Sequence, residues 1–308
     1  MNRKMYDATA GFDFLLGQLT HLEAKIYSTV YADIVYPNVI PISTEAGPNA
    51  TSVAYYTVDQ VGKAKFVGPG SLDIPMVDIS GDMQQMYVHL GAVGYGYTDE
   101  EIRQAISLGQ DLPTVKAIAA RRAFEEHAQE VYLTGDANHN LAGFLNNPNV
   151  TAATVVNPGS GTTWAVKSPD EILADIITSF SAIREDSKLK ESADTLLLPV
   201  AQYNHIANTR LSTYTETSIL QYIVKNITYI KSESDIIPIN QLDGAGAGAT
   251  DRMIIYTKNE EKLVGHMPMP LTWLPPLRKE RGFVVAGEYK LSGIEFRYPG
   301  SARYADGI

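Results

Sequence analysis

A long helical segment at residues 111–134 constrains the fold of this chain more than any other feature. Asp111 suits the N-cap, Pro113 is tolerated in the first turn, and Gly135 stands where the helix should end. Its apolar residues fall on two arcs of the helical wheel: Leu112, Val115, Ala119 and Ala123 on one, and Ala117, Ala120, Phe124, Ala128 and Val131 on the other. A surface helix normally has one apolar stripe. The pattern therefore predicts a beam about 34 Å long, packed between two layers.

Composition narrows the chemistry that the chain can carry out. The 308 residues are 44% hydrophobic and 19% charged, which is typical of a globular protein, and none is cysteine. The lack of cysteine excludes a disulfide framework, thiolate zinc sites and a cysteine nucleophile. The six histidines are scattered without metal-ligand spacing. We therefore expect no catalytic residue, no cofactor and no metal site.

The charge pattern argues against general DNA binding. The net charge is −10, whereas a protein that neutralises phosphates needs a basic patch. The short basic run at 278–281 is interrupted by Glu280 and is typical of a solvated turn. Residues 1–14 lack the apolar core of a signal peptide, and no apolar run of about 18 residues occurs, so we expect no membrane span.

The residues after the long helix carry the most specific motif. They comprise Gly135-Asp136, then Gly143, Phe144, Leu145 and Asn146, and then a Thr/Val-rich segment from Val150. This pattern resembles the major capsid proteins of tailed bacteriophages and the related encapsulins, in which a spine helix ends in a Gly-Asp turn and a Gly-Leu-Leu-Asn-like motif follows. Phe144 replaces the first leucine of that motif. The element order extends the resemblance to most of the chain, although only residues 98–150 carry a motif.

The resemblance implies an α+β fold, the tailed-phage major capsid fold. It implies five segments: an N-terminal arm (1–48), an extended β-hairpin loop (49–80), a peripheral domain with the spine helix (81–191), an axial domain (192–262) and C-terminal strands that return to the peripheral domain (263–308). The interspersed short strands and helices lack the regular alternation of a Rossmann fold or a (β/α)₈ barrel.

Residues 51–67 read as two strands around a turn at 59–62, with Gly/Pro-rich segments on both sides. A two-stranded hairpin alone is marginal in water, so it needs a surface to lie on. The resemblance places it over an adjacent subunit. The candidate intersubunit contacts are Tyr55, Tyr56, Val58, Lys63 and Lys65. Some family members crosslink such a lysine to an asparagine of a neighbour; the alternative is that these lysines are edge-strand charges that suppress aggregation.

The remaining elements follow from periodicity and capping signals. We predict helices at 12–33, from Ser168 to about Asp186, at 200–208 and at 218–225. We predict strands at 150–156, 195–198, 227–231, 253–257 and 261–266, and a hairpin of 283–289 with 292–298. The Gly-Ala run at 244–249 precedes a strand-like segment, so it indicates a flexible loop and not a dinucleotide-binding turn.

The resemblance implies a structural function. Many copies would form the hexamers and pentamers of an icosahedral shell that encloses double-stranded phage DNA without sequence-specific binding. The shell would assemble in the host cytoplasm, with portal, scaffold or decoration proteins as further partners, and become the virion capsid. One alternative is an encapsulin shell that houses a cargo enzyme. Another is a soluble hydrolase or nucleotide-binding enzyme, which should show a deep pocket with convergent polar groups.

Overall fold

The computed structural model describes residues 33–64, 66, 76–108, 112–159 and 161–308, and its elements lie in the unit Ile34–Ile308. Helices α1 to α6 are Tyr36–Val39, Asp99–Leu108, Leu112–Leu133, Pro169–Asp186, Val200–Asn208 and Ile219–Asn226. Strands β1 to β16 are Ile42–Ser43, Ser52–Val61, Asp78–Tyr87, His89–Thr98, Gly135–Asp136, Leu141–Ala142, Thr151–Thr154, Thr195–Leu198, Ile236–Pro238, Arg252–Tyr256, Leu263–His266, Met269–Trp273, Leu277–Lys279, Gly282–Leu291, Ile294–Phe296 and Ala302–Asp306. Single 3₁₀ turns lie at Ala137–His139, Glu233–Asp235, Asn240–Leu242 and Pro299–Ser301.

A five-stranded sheet in the order β7-β16-β10-β8-β9 separates two hydrophobic cores. Because side chains alternate across a strand, Ile254 and Tyr256 of β10 enter the core shared with α3, while Met253 and Ile255 enter the core under α4, α5 and α6. This explains why all five residues of β10 are buried. A three-stranded sheet, β1-β11-β15, extends the first core, and β14 pairs with β12 and β13 along one edge and with β4 along the other.

The long helix is α3; one of its two apolar arcs is covered, and the described residues of the other arc are exposed. Ala120, Phe124, Ala128 and Val131 are buried against the first core. On the other arc, Ala119 and Ala123 are exposed. The prediction of a beam between two layers is therefore wrong for the isolated subunit, because one layer covers the helix and the small alanines of the second arc face outward. The predicted N-cap, Asp111, lies outside the described residues.

The loop motif closes the end of α3. Gly135 has a φ of +83°, the predicted left-handed conformation, and a Cβ there would lie 2.4 Å from the Leu141 carbonyl oxygen. The Asn146 side chain donates to the Thr134 carbonyl (2.8 Å) and accepts from the Gly143 N–H (3.1 Å), which satisfies backbone groups at the helix end. Phe144 and Leu145 are buried, as predicted. Asp136 accepts from the Asn138 N–H and caps the start of the 3₁₀ turn Ala137–His139.

A buried ion pair joins this loop to the last strand. Arg252 contacts Asp306 through two nitrogens, at 2.6 and 2.9 Å, and donates a third bond to the Leu145 carbonyl at 2.7 Å. Asp306 also accepts from the Ala247 N–H at 3.0 Å, so the Gly-Ala loop is tied to the same carboxylate. Burial acts to raise the pKa of Asp306, but the hydrogen bonds from Arg252 and Ala247 outweigh it and lower that pKa overall.

This lowered pKa predicts an acid-labile contribution to stability. Asp306 binds its proton more weakly in the folded state, so its stabilisation is complete above the unfolded pKa of about 4 and is lost as the pH falls through the folded value. We expect Asp306→Asn to flatten the acid limb of the free energy of unfolding. The measurement is denaturant unfolding between about pH 5 and pH 2, with Glu216→Gln, at an exposed loop position, as the control. An acid limb identical to that of the natural chain would contradict this assignment.

Several predicted elements are confirmed. Ser168 and Glu171 form the capping box that begins α4, and Ile172, Ile176 and Phe180 line its buried face. The buried strand at 195–198, the helices at 200–208 and 218–225, and the strands near 150–156, 253–257 and 261–266 lie within a few residues of their predicted bounds. The Gly-Ala run is a loop. The predicted helix at 12–33 lies outside the described residues.

The predicted hairpin at 51–67 is wrong. Residues 52–61 form the single strand β2, which pairs with β3 (78–87) and not with a strand after a turn at 59–62. The Gly-Pro-Gly segment at 68–70, predicted to bound the hairpin, lies in the sequence between the two strands. A continuous ladder satisfies more backbone hydrogen bonds than two short strands around a tight turn. The mostly polar β3 gave no recognised strand signal and was not predicted, nor was β4.

Two further pairings differ from prediction. Residues 283–289 and 292–298 do not form a hairpin, because β14 pairs with β4, β12 and β13 whereas β15 pairs with β11. Buried Ser292 carries the chain between the sheets: its N–H donates to the His266 carbonyl (3.0 Å) and its hydroxyl to the Tyr87 carbonyl (2.9 Å). Residues 227–231 are a turn, and the nearby strand is β9.

Candidate assembly surfaces

Strands β2 and β3 form a two-stranded ribbon (residues 52–87) in which Tyr56 lies opposite Met83 in register. Among the described residues, neither strand pairs with a strand of another sheet. The Val88 N–H donates to the Thr51 carbonyl (3.0 Å) and closes the base of the ribbon, and the Ser292 hydroxyl donates to the Tyr87 carbonyl (2.9 Å) and ties that base to the body. At about 3.3 Å per residue, each ten-residue strand extends for about 33 Å.

One face of this ribbon carries large exposed apolar side chains. Alternation along both strands places Tyr56, Ile79, Met83 and Tyr87 on that face, and they are 71%, 67%, 51% and 65% exposed. We call it the apolar ribbon face. On the other face, Tyr55 and Met86 are half-buried. Contiguous exposed apolar residues are uncommon on a monomeric soluble protein and mark an interaction surface.

The structure distributes the predicted contact residues unevenly. Tyr56 lies on the apolar ribbon face, and Tyr55 lies on the opposite face. Val58 is opposite Gly81 in the ladder, and Lys63 is exposed just beyond β2. Lys65 lies outside the described residues. Sequence reasoning missed Ile79, Met83 and Tyr87, although their spacing of four residues would have placed them on one face of a strand.

A second unpartnered surface is the outer face of β4 and β14. On the inner face, the Tyr289 ring of β14 packs edge-on against Phe124 of α3, with centroids 4.7 Å apart. The outer face alternates with it along β4, where every second residue is exposed. Along its middle, Gly94 lies opposite Ala286, Gly96 opposite Val284 and Ala92 opposite Glu288; we call these paired residues the smooth sheet face.

The third open surface is a short stripe on α3. It consists of Ile118, which is 63% exposed, with Ala119 and Ala123. Charged residues flank it, among them Arg122 and Glu126, which form an ion pair at 2.8 Å. The stripe covers less than two helical turns, about 8 Å along the axis, so it is much smaller than the other two surfaces.

The segment that leaves the body toward the N-terminus is anchored on α3. The Val35 N–H donates to the Gln129 side chain at 2.7 Å, and the Tyr36 hydroxyl donates to Glu125 at 2.8 Å. Burial and the hydrogen bond to Glu125 raise the pKa of the Tyr36 hydroxyl far above its usual value, so this donor stays protonated. Strand β1 then pairs in parallel with β11. Residues 34–43 are therefore part of the folded body.

Within the described parts of the chain, no group of three or more His, Asp or Glu side chains is arranged to hold a metal ion. None of the described helices has the length and apolar character needed to cross a membrane. Within the described residues, the clearest candidates for a functional role are therefore the exposed apolar surfaces.

Comparison with known protein families identifies the kind of protein that carries these surfaces. The sequence matches the family model described as "Major capsid protein" over residues 62–308, which is most of the chain. The chain belongs to the major capsid protein family. Among curated proteins, none matches this sequence significantly.

Solved structures share the fold of this major capsid protein. The capsid of Myoviridae phage XM1 is similar with a TM-score of 0.81 at 19% identity, over 95% of this chain and 98% of that one. The capsid of the native GTA particle gives 0.68 at 11% identity, over 99% and 100% of the two chains. Microbacterium phage Oxtober96 gives 0.65 at 10% identity, over 96% and 98%. The α+β capsid fold predicted from the sequence is confirmed.

This major capsid protein is a non-enzymatic structural protein of a tailed-phage head, and its copies assemble into the multi-subunit shell of the virion. The encapsulin and enzyme alternatives are not favoured by the family match or by the similar structures. The open surfaces of the subunit are therefore candidates for contacts between copies.

Proposed function

We propose that this protein forms the hexamers and pentamers of an icosahedral shell around double-stranded DNA, and that the ribbon grips a neighbouring subunit. The observation that carries the proposal is the apolar ribbon face, which the subunit itself leaves uncovered. A ribbon of two strands is marginal alone, so its stable form needs a surface supplied by another copy. Assembly takes place in the host cytoplasm, with portal, scaffold or decoration proteins as further partners.

The net charge of the chain favours a protein that encloses DNA over a protein that binds DNA. A net charge of −10 gives the shell little average attraction for phosphates, so packaged DNA is enclosed without sequence-specific contacts. Local exceptions are small, such as the turn with Arg278 and Lys279.

We also propose the five-part division into arm (1–48), extended loop (49–80), peripheral domain (81–191), axial domain (192–262) and returning strands (263–308). Three structural observations refine the bounds of these parts. Residues 34–43 pack on α3, the ribbon continues to Tyr87, and α4 shares a core with α5 and α6 of the axial segment. On these grounds we place residues 34–43 with the folded body and extend the loop segment through all of β3.

The proposal predicts that purified protein forms shells or capsomers. The test is sedimentation and electron microscopy of protein expressed alone and together with candidate scaffold and portal proteins. Closed shells with five-fold and six-fold clusters of subunits are the expected result. A well-folded monomer under every one of these conditions would contradict the assembly proposal.

A further inference from the structure

Two histidines meet where the ribbon joins the body. His89 is the first residue of β4, His139 lies in the 3₁₀ turn after α3, and their ring centroids are 4.7 Å apart with the planes inclined at 58°. His89 lies opposite Leu291 in the β4–β14 ladder. Just beyond that pair, a Cβ at Gly293 would lie 3.5 Å from the Leu141 side chain, so the loop that carries His139 packs beside β4. Tertiary contacts therefore create a histidine pair that spacing along the chain does not reveal.

Each of the two rings has a nitrogen suited to bind a cation. His139 Nδ1 lies 2.5 Å from Asp136 Oδ2, and this hydrogen bond lowers the pKa of Asp136. The ionised carboxylate holds the proton on Nδ1, which leaves a lone pair on His139 Nε2. His89 Nε2 is buried and has no hydrogen-bond partner among the described residues. A buried ring nitrogen without a partner is uncommon, and a bound cation would satisfy it.

The separation of the rings fits a shared metal ion. Metal–nitrogen bonds to imidazole are about 2.0–2.1 Å long, so a metal lies about 3.2 Å from the centroid of each ring that binds it. Two such rings with centroids 4.7 Å apart subtend about 95° at the metal. Angles near 90° suit the square-planar and tetragonal sites of Cu²⁺ and Ni²⁺, whereas Zn²⁺ prefers a tetrahedron.

We propose that His89 and His139 bind one divalent cation of the Cu²⁺ and Ni²⁺ class through their Nε2 atoms. Asp136 acts through Nδ1 of His139 as a positioning residue, so the protein supplies two ligands and water completes the coordination. A site with two ligating side chains agrees with the absence, in the described residues, of a group of three. The His139 side chain is 52% exposed, which gives the cation a path from solvent.

Among the other described histidines, His266 is a poorer candidate. Its Nε2 atom is bonded to Glu295, and the two side chains are 6% and 1% exposed. A carboxylate already satisfies that nitrogen, and a cation would have to enter a closed site to displace it. His127 is engaged differently, since its Nδ1 atom lies 3.1 Å from the Tyr289 hydroxyl.

The bound cation would fasten the base of the ribbon to the end of α3. His89 follows closely after Tyr87, the last residue of β3, and the Ser292 hydroxyl already holds the Tyr87 carbonyl there. The metal adds a second link at the same junction. Because a ligand that binds only the folded state stabilises it by mass action, saturating Cu²⁺ should raise the midpoint of thermal unfolding.

Titration of the untagged full-length chain with Cu²⁺ tests the proposal. Calorimetry gives the stoichiometry and the affinity, and electron paramagnetic resonance of the bound Cu²⁺ reports nitrogen ligands through their hyperfine splitting. The test variants are His139→Gln, His89→Gln and Asp136→Asn, and the matched control is His205→Gln in α5. Circular dichroism verifies that each variant is folded. His139 is exposed, so its replacement decides the question even if His89→Gln does not fold.

We expect one Cu²⁺ site per chain that shows two nitrogen ligands, and no binding of Mg²⁺ or Ca²⁺, which prefer oxygen ligands. His139→Gln and His89→Gln should each weaken this site at least about tenfold, and Asp136→Asn should weaken it by about tenfold. His205→Gln should leave the affinity unchanged.

His139→Gln should also abolish the rise in the unfolding midpoint that Cu²⁺ causes in the natural chain. A titration of His139→Gln that superimposes on that of the natural chain would overturn the proposal, as would the absence of any saturable site. The two ligands belong to one subunit, so the result does not depend on shell assembly.

Discussion

Replacing residues 52–87 with a short Gly/Ser linker is expected to leave the subunit folded and to abolish stable shells. The ends of the ribbon meet at its base, where the Thr51 carbonyl oxygen and the Val88 nitrogen are 3.0 Å apart, so a short linker closes the gap without strain. Neither described core includes a ribbon residue, so both cores survive the replacement. Loop closure costs change slowly with length, and the linker itself should be tolerated.

The measurement combines thermal unfolding with electron microscopy. We expect a cooperative unfolding transition close to that of the natural subunit and no closed shells. A second variant with serine at Tyr56, Ile79, Met83 and Tyr87 keeps the ribbon and removes only its apolar face; it should lose shells as well. Normal shells from the linker variant would refute the proposal that the ribbon holds a neighbouring subunit in the shell. Global unfolding would show that the ribbon belongs to the core of its own subunit.

Phe144→Ala is expected to lower the free energy of unfolding by about 3–5 kcal/mol. The ring is fully buried, stacks against Phe296 with centroids 5.8 Å apart, and meets Tyr256 edge-on at 5.0 Å. Its backbone N–H donates to the Tyr132 carbonyl at 2.8 Å, which holds the position against α3. The loop is fixed on both sides, so it cannot collapse into the space left by the ring, and a cavity adds to the lost burial.

Two variants serve as controls for this change. Phe66→Ala makes the same substitution at a fully exposed phenylalanine and should alter stability by less than about 0.5 kcal/mol. Phe144→Leu installs the residue of the family-like motif and should cost less than about 1.5 kcal/mol, since most of the volume is kept. The measurement is denaturant unfolding of unassembled subunits. A loss below about 1 kcal/mol for Phe144→Ala would show that the loop can repack.

Local signals in the sequence determined most of the helices and the buried strands. Ser168 and Glu171 bond reciprocally within four residues, so the start of α4 could be read without knowledge of the rest of the chain. Gly135 ends α3 for an equally local reason, because only the left-handed conformation turns the chain there. The motif from Gly135 to Asn146 also pointed to the capsid fold, because it combines the glycine turn that ends α3 with the buried pair Phe144 and Leu145.

Only the tertiary structure decided which strands pair and which apolar faces stay uncovered. The alternating pattern predicts that β2 is a strand, but it does not indicate that its partner is β3, which is distant in the sequence. It also does not indicate that β14 and β15 belong to different sheets. Strand pairing depends on backbone hydrogen bonds between distant segments, and the identity of the side chains does not specify which backbone groups will meet. Likewise, the apolar pattern at Tyr56 or Ala123 is the same whether a neighbouring layer is present or absent. Whether such a side chain is exposed depends on the elements that pack against it, so its exposure is known only when the positions of all those elements are known.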